Sequence, residues 1–136
     1  MDNDGNAAIP GAAYDLFDEP NFAHVVTLFA DGMPHVTPMW QERQGDSVLL
    51  NTNQGRLKTR NIARDPRVSL SVQDRKDPFR YVQVRGLAEL KPEGGQEDID
   101  RLSIKYVGEP FRPLKEGEVR VSIVIRPSRV QYAPTR

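Results

Sequence analysis

RVSLSVQ, residues 67–73, sets Val68, Leu70 and Val72 on one side and Arg67, Ser69, Ser71 and Gln73 on the other. Successive side chains of an extended chain point to opposite faces, so the run specifies a strand with one buried face. FAHVVTLFADGMPHVTPMWQER reads as two strands around Asp31-Gly32, a two-residue hairpin signal. DSVLLNT, after the turn Gln44-Gly45-Asp46, is a third. FRYVQVRGLAELKP is a longer strand with alternation starting at Tyr81 or Val82 and a bulge expected at Gly86. EVRVSIVIRPSRVQYAP closes the chain as a strand interrupted at Pro127.

Helical spacing is confined to short connections. PGAAYDLFDEP predicts a short helix within residues 10–20, and residues 1–9 read as a flexible lead. RLKTRNIARDP is a helix closed by Pro66, with Leu57 and Asn61, and Ile62 and Pro66, at helical spacing. GGQEDIDRLSIKYVGE carries Ile99, Leu102 and Tyr106 on one side of a third. Six strands rich in hairpins, with helices at their connections, predict a mainly β fold: one antiparallel barrel domain over residues 1–136 with accessory helices. Neither GxGxxG nor a Walker loop occurs, which excludes the usual dinucleotide and P-loop sites.

The chain has 19 basic and 19 acidic residues, a formal charge of zero, which argues against nucleic acid as a partner. No cysteine is present, so thiolate catalysis, disulfides and Cys-type zinc sites are excluded. The N-terminus lacks a signal-peptide pattern, and FAHVVTLFA is too short to span a bilayer; a cytoplasmic protein without a membrane span is expected. His24 and His35 are the only histidines, and no metal is expected. No triad or nucleophile elbow appears, so no catalytic side chain can be named.

Against this neutral background, NTNQGRLKTRNIARDPR gathers Arg56, Lys58, Arg60, Arg64 and Arg67 around one acid, Asp65. A helix beginning near Leu57 offers unpaired N–H groups where Arg56 and Lys58 stand, a setting suited to phosphate, with Thr52 or Asn53 adding a polar group. A solvated basic helix pairing with Glu97 and Asp98 is equally consistent with the segment alone. HVTPMW, with a strand broken at Thr37-Pro38 beside Met39 and Trp40, fits a platform for a planar ring. By itself it is better explained as an edge strand with Trp40 in the core. Around Asp77-Pro78, Lys76 and Arg80 bring charge to what is by default a self-solvating turn.

An anion cradle and a ring platform without catalytic side chains fit a cofactor that performs the chemistry itself. In order and spacing, VVTLFADGMPHVTPMW, LLNTNQGRLKTRNIARDPRVSLSV and DPFRYVQVRG resemble the pyridoxamine-phosphate-oxidase-like split β-barrel proteins over Phe22 to Tyr132. They resemble especially the branch of F-420-dependent flavin and deazaflavin oxidoreductases. The resemblance implies a six-stranded antiparallel split barrel paired as a homodimer, with cofactor sites at the interface. It assigns Arg56, Lys58 and Asn61 to the cofactor phosphate and Thr37, Pro38, Met39 and Trp40 to the ring, with Thr52 between. Lys76, Pro78 and Phe79 would meet the ribityl or tail portion, and Arg60, Arg64 and Lys76 would accommodate the anionic tail of F-420.

The implied function is hydride transfer from reduced coenzyme F-420 to an electron-poor small molecule of enone, quinone or lactone type. A separate F-420-reducing dehydrogenase would resupply the cofactor. FMN is the alternative cofactor, and a non-catalytic deazaflavin- or flavin-binding protein the alternative role. Pyridoxamine phosphate oxidases themselves carry a basic C-terminal substrate segment. This sequence stops soon after RPSRVQYAPTR, so vitamin B6 oxidation is not expected.

Overall fold

The computed structural model describes residues 7–135. Seven strands form one antiparallel sheet: β1 (Ala23–Leu28), β2 (Pro34–Met39), β3 (Glu42–Gln44), β4 (Ser47–Asn53), β5 (Arg67–Gln73), β6 (Tyr81–Lys91) and β7 (Arg120–Ala133). A 3-10 turn, Gly11–Ala13, leads into α1 (Tyr14–Asp18), while α2 (Leu57–Arg64) links β4 to β5 and α3 (Gly95–Val107) follows β6.

The sheet order is β2-β1-β5-β6-β7-β4-β3. Its two edge strands are therefore joined by only Trp40 and Gln41. A chain covers at most about 3.3–3.6 Å per residue, so edges connected this closely must curl toward each other. The result is an open barrel split between β2 and β3. The core inside it holds Val25, Val48, Leu50, Leu70, Val84 and Ile123, with Leu16 and Phe17 of α1 closing one side.

The alternating runs behave as their pattern requires, and Val68, Leu70 and Val72 all face the core. Several expectations need correction. There are seven strands, because Gln41 breaks the run read as one strand and Glu42–Gln44 pairs separately with β4. The β1–β2 loop is longer than two residues: the N–H of Phe29 donates to the Met33 carbonyl at 2.8 Å, enclosing Ala30, Asp31 and Gly32, the last at φ 89°. Pro127 does not interrupt β7. Gly86 pairs with Pro127 and Arg85 with Arg129, leaving Ser128 as the extra residue of a bulge that absorbs the proline.

The expected flexible lead also fails where it can be seen. Ile9 is 2% exposed in the core, and its N–H donates to Asp46 at 3.0 Å. Ala7 donates to the Pro127 carbonyl at 3.0 Å. One apolar side chain and two backbone bonds offset the entropy of holding this stretch. Residues 1–6 lie outside the described residues. Among the described residues no helix is long and apolar enough to cross a membrane, and no group of three or more His, Cys, Asp or Glu could hold a metal.

At the bulge, β6 and β7 come too close for a side chain. A Cβ on Gly86 would lie 2.2 Å from the Arg126 carbonyl oxygen. Gly86→Ala should destabilise the fold by about 1–3 kcal/mol in urea unfolding. Gly11→Ala, where nothing stands within 4 Å, should change stability by less than about 0.5 kcal/mol.

Candidate functional site

A cleft of about 370 Å³ opens between α2, the end of β2 and the loop preceding β7. Its cationic wall begins where β4 ends at Asn53 and the chain reverses at Gly55, φ 87°, before entering α2. The helix is fixed from behind. Asn61 is fully buried, donates to Thr27 Oγ1 at 3.1 Å and accepts from Arg64 at 2.7 Å. Arg64 also donates to the Leu28 carbonyl at 2.7 Å, and Ile62 enters the core. Among the described residues no side chain caps the N-terminus at Arg56, and the helix hydrogen bonding starts with the N–H groups of Thr59 and Arg60, which donate to the Arg56 carbonyl at 3.1 and 3.2 Å, so the N–H groups of Leu57 and Lys58 precede it.

Arg56 and Lys58 line the cleft at this helix end. Burial lowers the Lys58 pKa, and the neighbouring Arg56 lowers it further. Among the described residues neither side chain forms an ion pair with a carboxylate. Asp98, expected as a partner of this helix, instead pairs with Arg101 at 2.9 Å. A half-buried Lys58 beside an exposed Arg56, neither with a carboxylate partner among the described residues, makes a favourable place for an anion.

The opposite wall is aromatic. Trp40 stacks on Tyr106 with ring centroids 5.3 Å apart and planes 9° apart, and meets Phe111 edge-on at 6.5 Å. It is half-buried, so it neither fills the core nor stands free. The platform is braced from below. Tyr106 Oη donates to the Asn21 carbonyl at 2.6 Å and accepts the Gln41 N–H at 3.1 Å. Burial pushes the Tyr106 pKa up to about 12. Lys105 Nζ donates to the Gln41 carbonyl at 2.7 Å and to the Phe17 carbonyl, and burial drags its pKa down to about 8. Gln41 Nε2 donates to the carbonyls of Phe17 and Asn21 at 3.0 and 3.1 Å.

Of the expected site residues, Pro38, Met39, Trp40, Thr52, Arg56 and Lys58 meet in this cleft. Thr37, on β2, does not line it. Arg60 is exposed outside it, and the expected phosphate contact of Asn61 gives way to its bonds to Thr27 and Arg64. Arg64 bonds the Leu28 carbonyl and Asn61 and does not line the cleft. Lys76, Pro78 and Phe79 lie outside the cleft, and Lys76 stands 4.0 Å from Glu19. Arg80 of the same turn is held by Asp15 at 2.6 Å.

The sequence reading missed Phe22, Asn51, Ile99, Phe111, Arg112 and Arg120. PFRP, residues 110–113, is an aromatic–cation pair between prolines and could have drawn attention. Arg120 was invisible without the pairing of β4 with β7, which sets it opposite Asn53.

A model of the family described as pyridoxamine 5'-phosphate oxidase matches residues 9–133. The chain belongs to this family. It is a flavin-binding family that includes oxidoreductases. Among solved structures, an F-420 reductase is 33% identical, with TM-score 0.81 over 90% of this chain and 98% of that one. A conserved hypothetical protein of Mycobacterium tuberculosis, Rv2991, is 24% identical, with TM-score 0.75 over 100% of this chain and 91% of that one. HupZ of Group A Streptococcus, 21% identical with TM-score 0.69 over 91% and 93%, shares the fold. No curated protein matches.

The Lys105 brace carries a pH signature. With its folded pKa near 8 against an ordinary 10.5, the folded state binds fewer protons than the unfolded state between those values, so this group adds stability as pH rises. Below pH 10, before Tyr106 opposes the trend, denaturant unfolding should show wild type gaining on Lys105→Met from pH 8 upward. A constant difference between the two would remove the assignment.

Proposed function

We propose that this chain is an oxidoreductase that uses reduced coenzyme F-420 to transfer hydride to an electron-poor small molecule. The observation that carries the proposal is the unpaired couple Arg56 and Lys58 at the open end of α2, facing the Trp40 platform across one cleft. The donor set fits the cofactor: a phosphate suits two cations and free helix N–H groups, and a tricyclic ring suits a braced aromatic wall. Likeness at 33% identity to an F-420 reductase supports the deazaflavin.

In this reading Arg56, Lys58 and the first N–H groups of α2 hold the phosphate. Pro38, Met39 and Trp40 border the ring, and Thr52 stands between the two regions. When bound, the reduced deazaflavin supplies the hydride, so the protein needs no nucleophile of its own. The residues contribute binding and orientation, with Lys105, Tyr106 and Gln41 keeping the platform in place. Enones, quinones and lactones are the acceptors this chemistry fits. A separate dehydrogenase regenerates the reduced cofactor in the cytoplasm. The chain acts as a homodimer, and the family is commonly dimeric.

FMN is the second reading, favoured by the flavin-binding character of the family. Fluorescence titration with F-420 beside FMN separates the two. Lys58→Ala should weaken binding of the true cofactor by about 10- to 150-fold, the loss of one charge-assisted bond. An unchanged dissociation constant with the fold intact would end the phosphate role. Tight F-420 binding without turnover of enones, quinones or nitro compounds would leave a binding protein in place of an enzyme.

A further inference from the structure

The edge strands β2 and β3 are joined only through Trp40 and Gln41, and the bonds across that split converge on Gln41. Its N–H donates to Tyr106 Oη at 3.1 Å, and its carbonyl accepts from Lys105 Nζ at 2.7 Å. Its Nε2 donates to the Phe17 and Asn21 carbonyls at 3.0 and 3.1 Å. The Phe17 carbonyl accepts a second time, from Lys105, and the Asn21 carbonyl a second time, from Tyr106 Oη at 2.6 Å. These bonds close into one network around Gln41, which is fully buried. Lys105 is its only cation.

The network reaches the cleft through Trp40. That indole lies flat against Tyr106, and its own peptide leads into Gln41, so both of its anchors belong to the network. Lys105 itself does not line the cleft. Among the described residues no carboxylate pairs with it: Glu42 of β3 is taken by Arg101 at 2.8 Å, and Asp18 of α1 by Arg43 at 3.4 Å. The Tyr106 ring lies 5.2 Å from the ammonium. Burial penalises this charge most, Glu42 and Asp18 offset part of the penalty, and the balance leaves Lys105 titrating near pH 8. A neutral amine keeps two N–H groups and can still reach both carbonyls, but bonds from an ammonium are roughly twice as strong.

We infer that Lys105 is a positioning residue whose proton tightens the Trp40 wall across the split, so that the cleft holds a planar ring best while the ammonium is charged. The role of the ring rests on the function proposed above; the control of the wall by the proton does not. Losing the proton relieves the burial penalty and steadies the fold as a whole, while it weakens the two bonds that order Phe17 and Gln41. Global stability and ring binding therefore run in opposite directions as pH rises through this group. A residue that merely supported the fold would move both the same way.

Trp40 is the only tryptophan, so its emission reads the wall with no ligand present. In a titration centred on pH 8, wild-type emission should shift to the red as the wall loosens, and Lys105→Met should show no such transition. Glu42→Gln leaves every residue of the network in place but removes a charge that favours the ammonium, so its transition should move to lower pH. Should Lys105→Met not fold, that shift carries the test. FMN and F-420 are then titrated on either side of the midpoint. From low to high pH, the dissociation constant should rise about 2- to 5-fold more in wild type than in Lys105→Met. Lys58 is present in both proteins, so its own titration cancels from the comparison. Flat wild-type emission, a transition that Lys105→Met retains, or one that Glu42→Gln leaves in place overturns the proposal. So does affinity that falls equally in both proteins. If neither cofactor binds wild type, the function falls, and the emission titration still decides whether the proton controls the wall.

Discussion

One buried amide ties the site to the fold. Asn51 donates to the Gly95 carbonyl at 2.9 Å and to Ser122 Oγ at 3.1 Å, and accepts from Arg120 Nε at 3.0 Å. Ser122 in turn donates to Asp98 at 2.6 Å. In this way a single side chain of β4 fixes the start of α3, the inner run of β7 and the guanidinium of Arg120. A buried amide satisfied from three directions admits one register, since slipping β4 against β7 by a residue would orphan every partner. Through that register, residues from 22 to 120 come to line one cleft. Gly95 is small for the same reason: a Cβ there would lie 2.2 Å from the Arg120 carbonyl oxygen.

Charge explains why the cleft is special in a chain of zero net charge. Elsewhere carboxylates find cations at once: Asp65 with Arg67, Asp15 and Asp74 with Arg80, Glu42 and Asp98 with Arg101. Exposed pairs of this kind stabilise little individually. Their consequence is positional, because carboxylates committed to such pairs are not facing Arg56 and Lys58. The Arg112 guanidinium, with help from Arg120, even holds the Glu118 carboxyl down at about 2. What remains is a local positive field beside an aromatic wall, in a chain whose formal net charge is zero.

Legibility in the sequence followed the range of the interaction. Strands with period-two alternation, such as Val68, Leu70 and Val72, and the helix beginning after Gly55 depend on neighbours in sequence and were readable. So was the placing of Arg56 and Lys58 at a helix start, since both lie within two residues of Leu57. Asn61 misled because helical spacing does not say which face turns inward, and Thr27, which settles it, lies 34 residues away. Arg112 and Arg120 were out of reach because they enter only through the β4–β7 pairing. Ile9 was read as part of a lead because a lone apolar residue among small and polar ones carries no period.

The central claim is that Arg56, Lys58 and the open end of α2 receive a phosphate. The direct measurement is a crystal structure of the chain grown with F-420. The account predicts the phosphorus within hydrogen-bonding reach of Lys58 Nζ and the first N–H groups of α2, with the ring against Trp40. A bound cofactor whose phosphate lies elsewhere, with Arg56 and Lys58 turned to solvent, would contradict it.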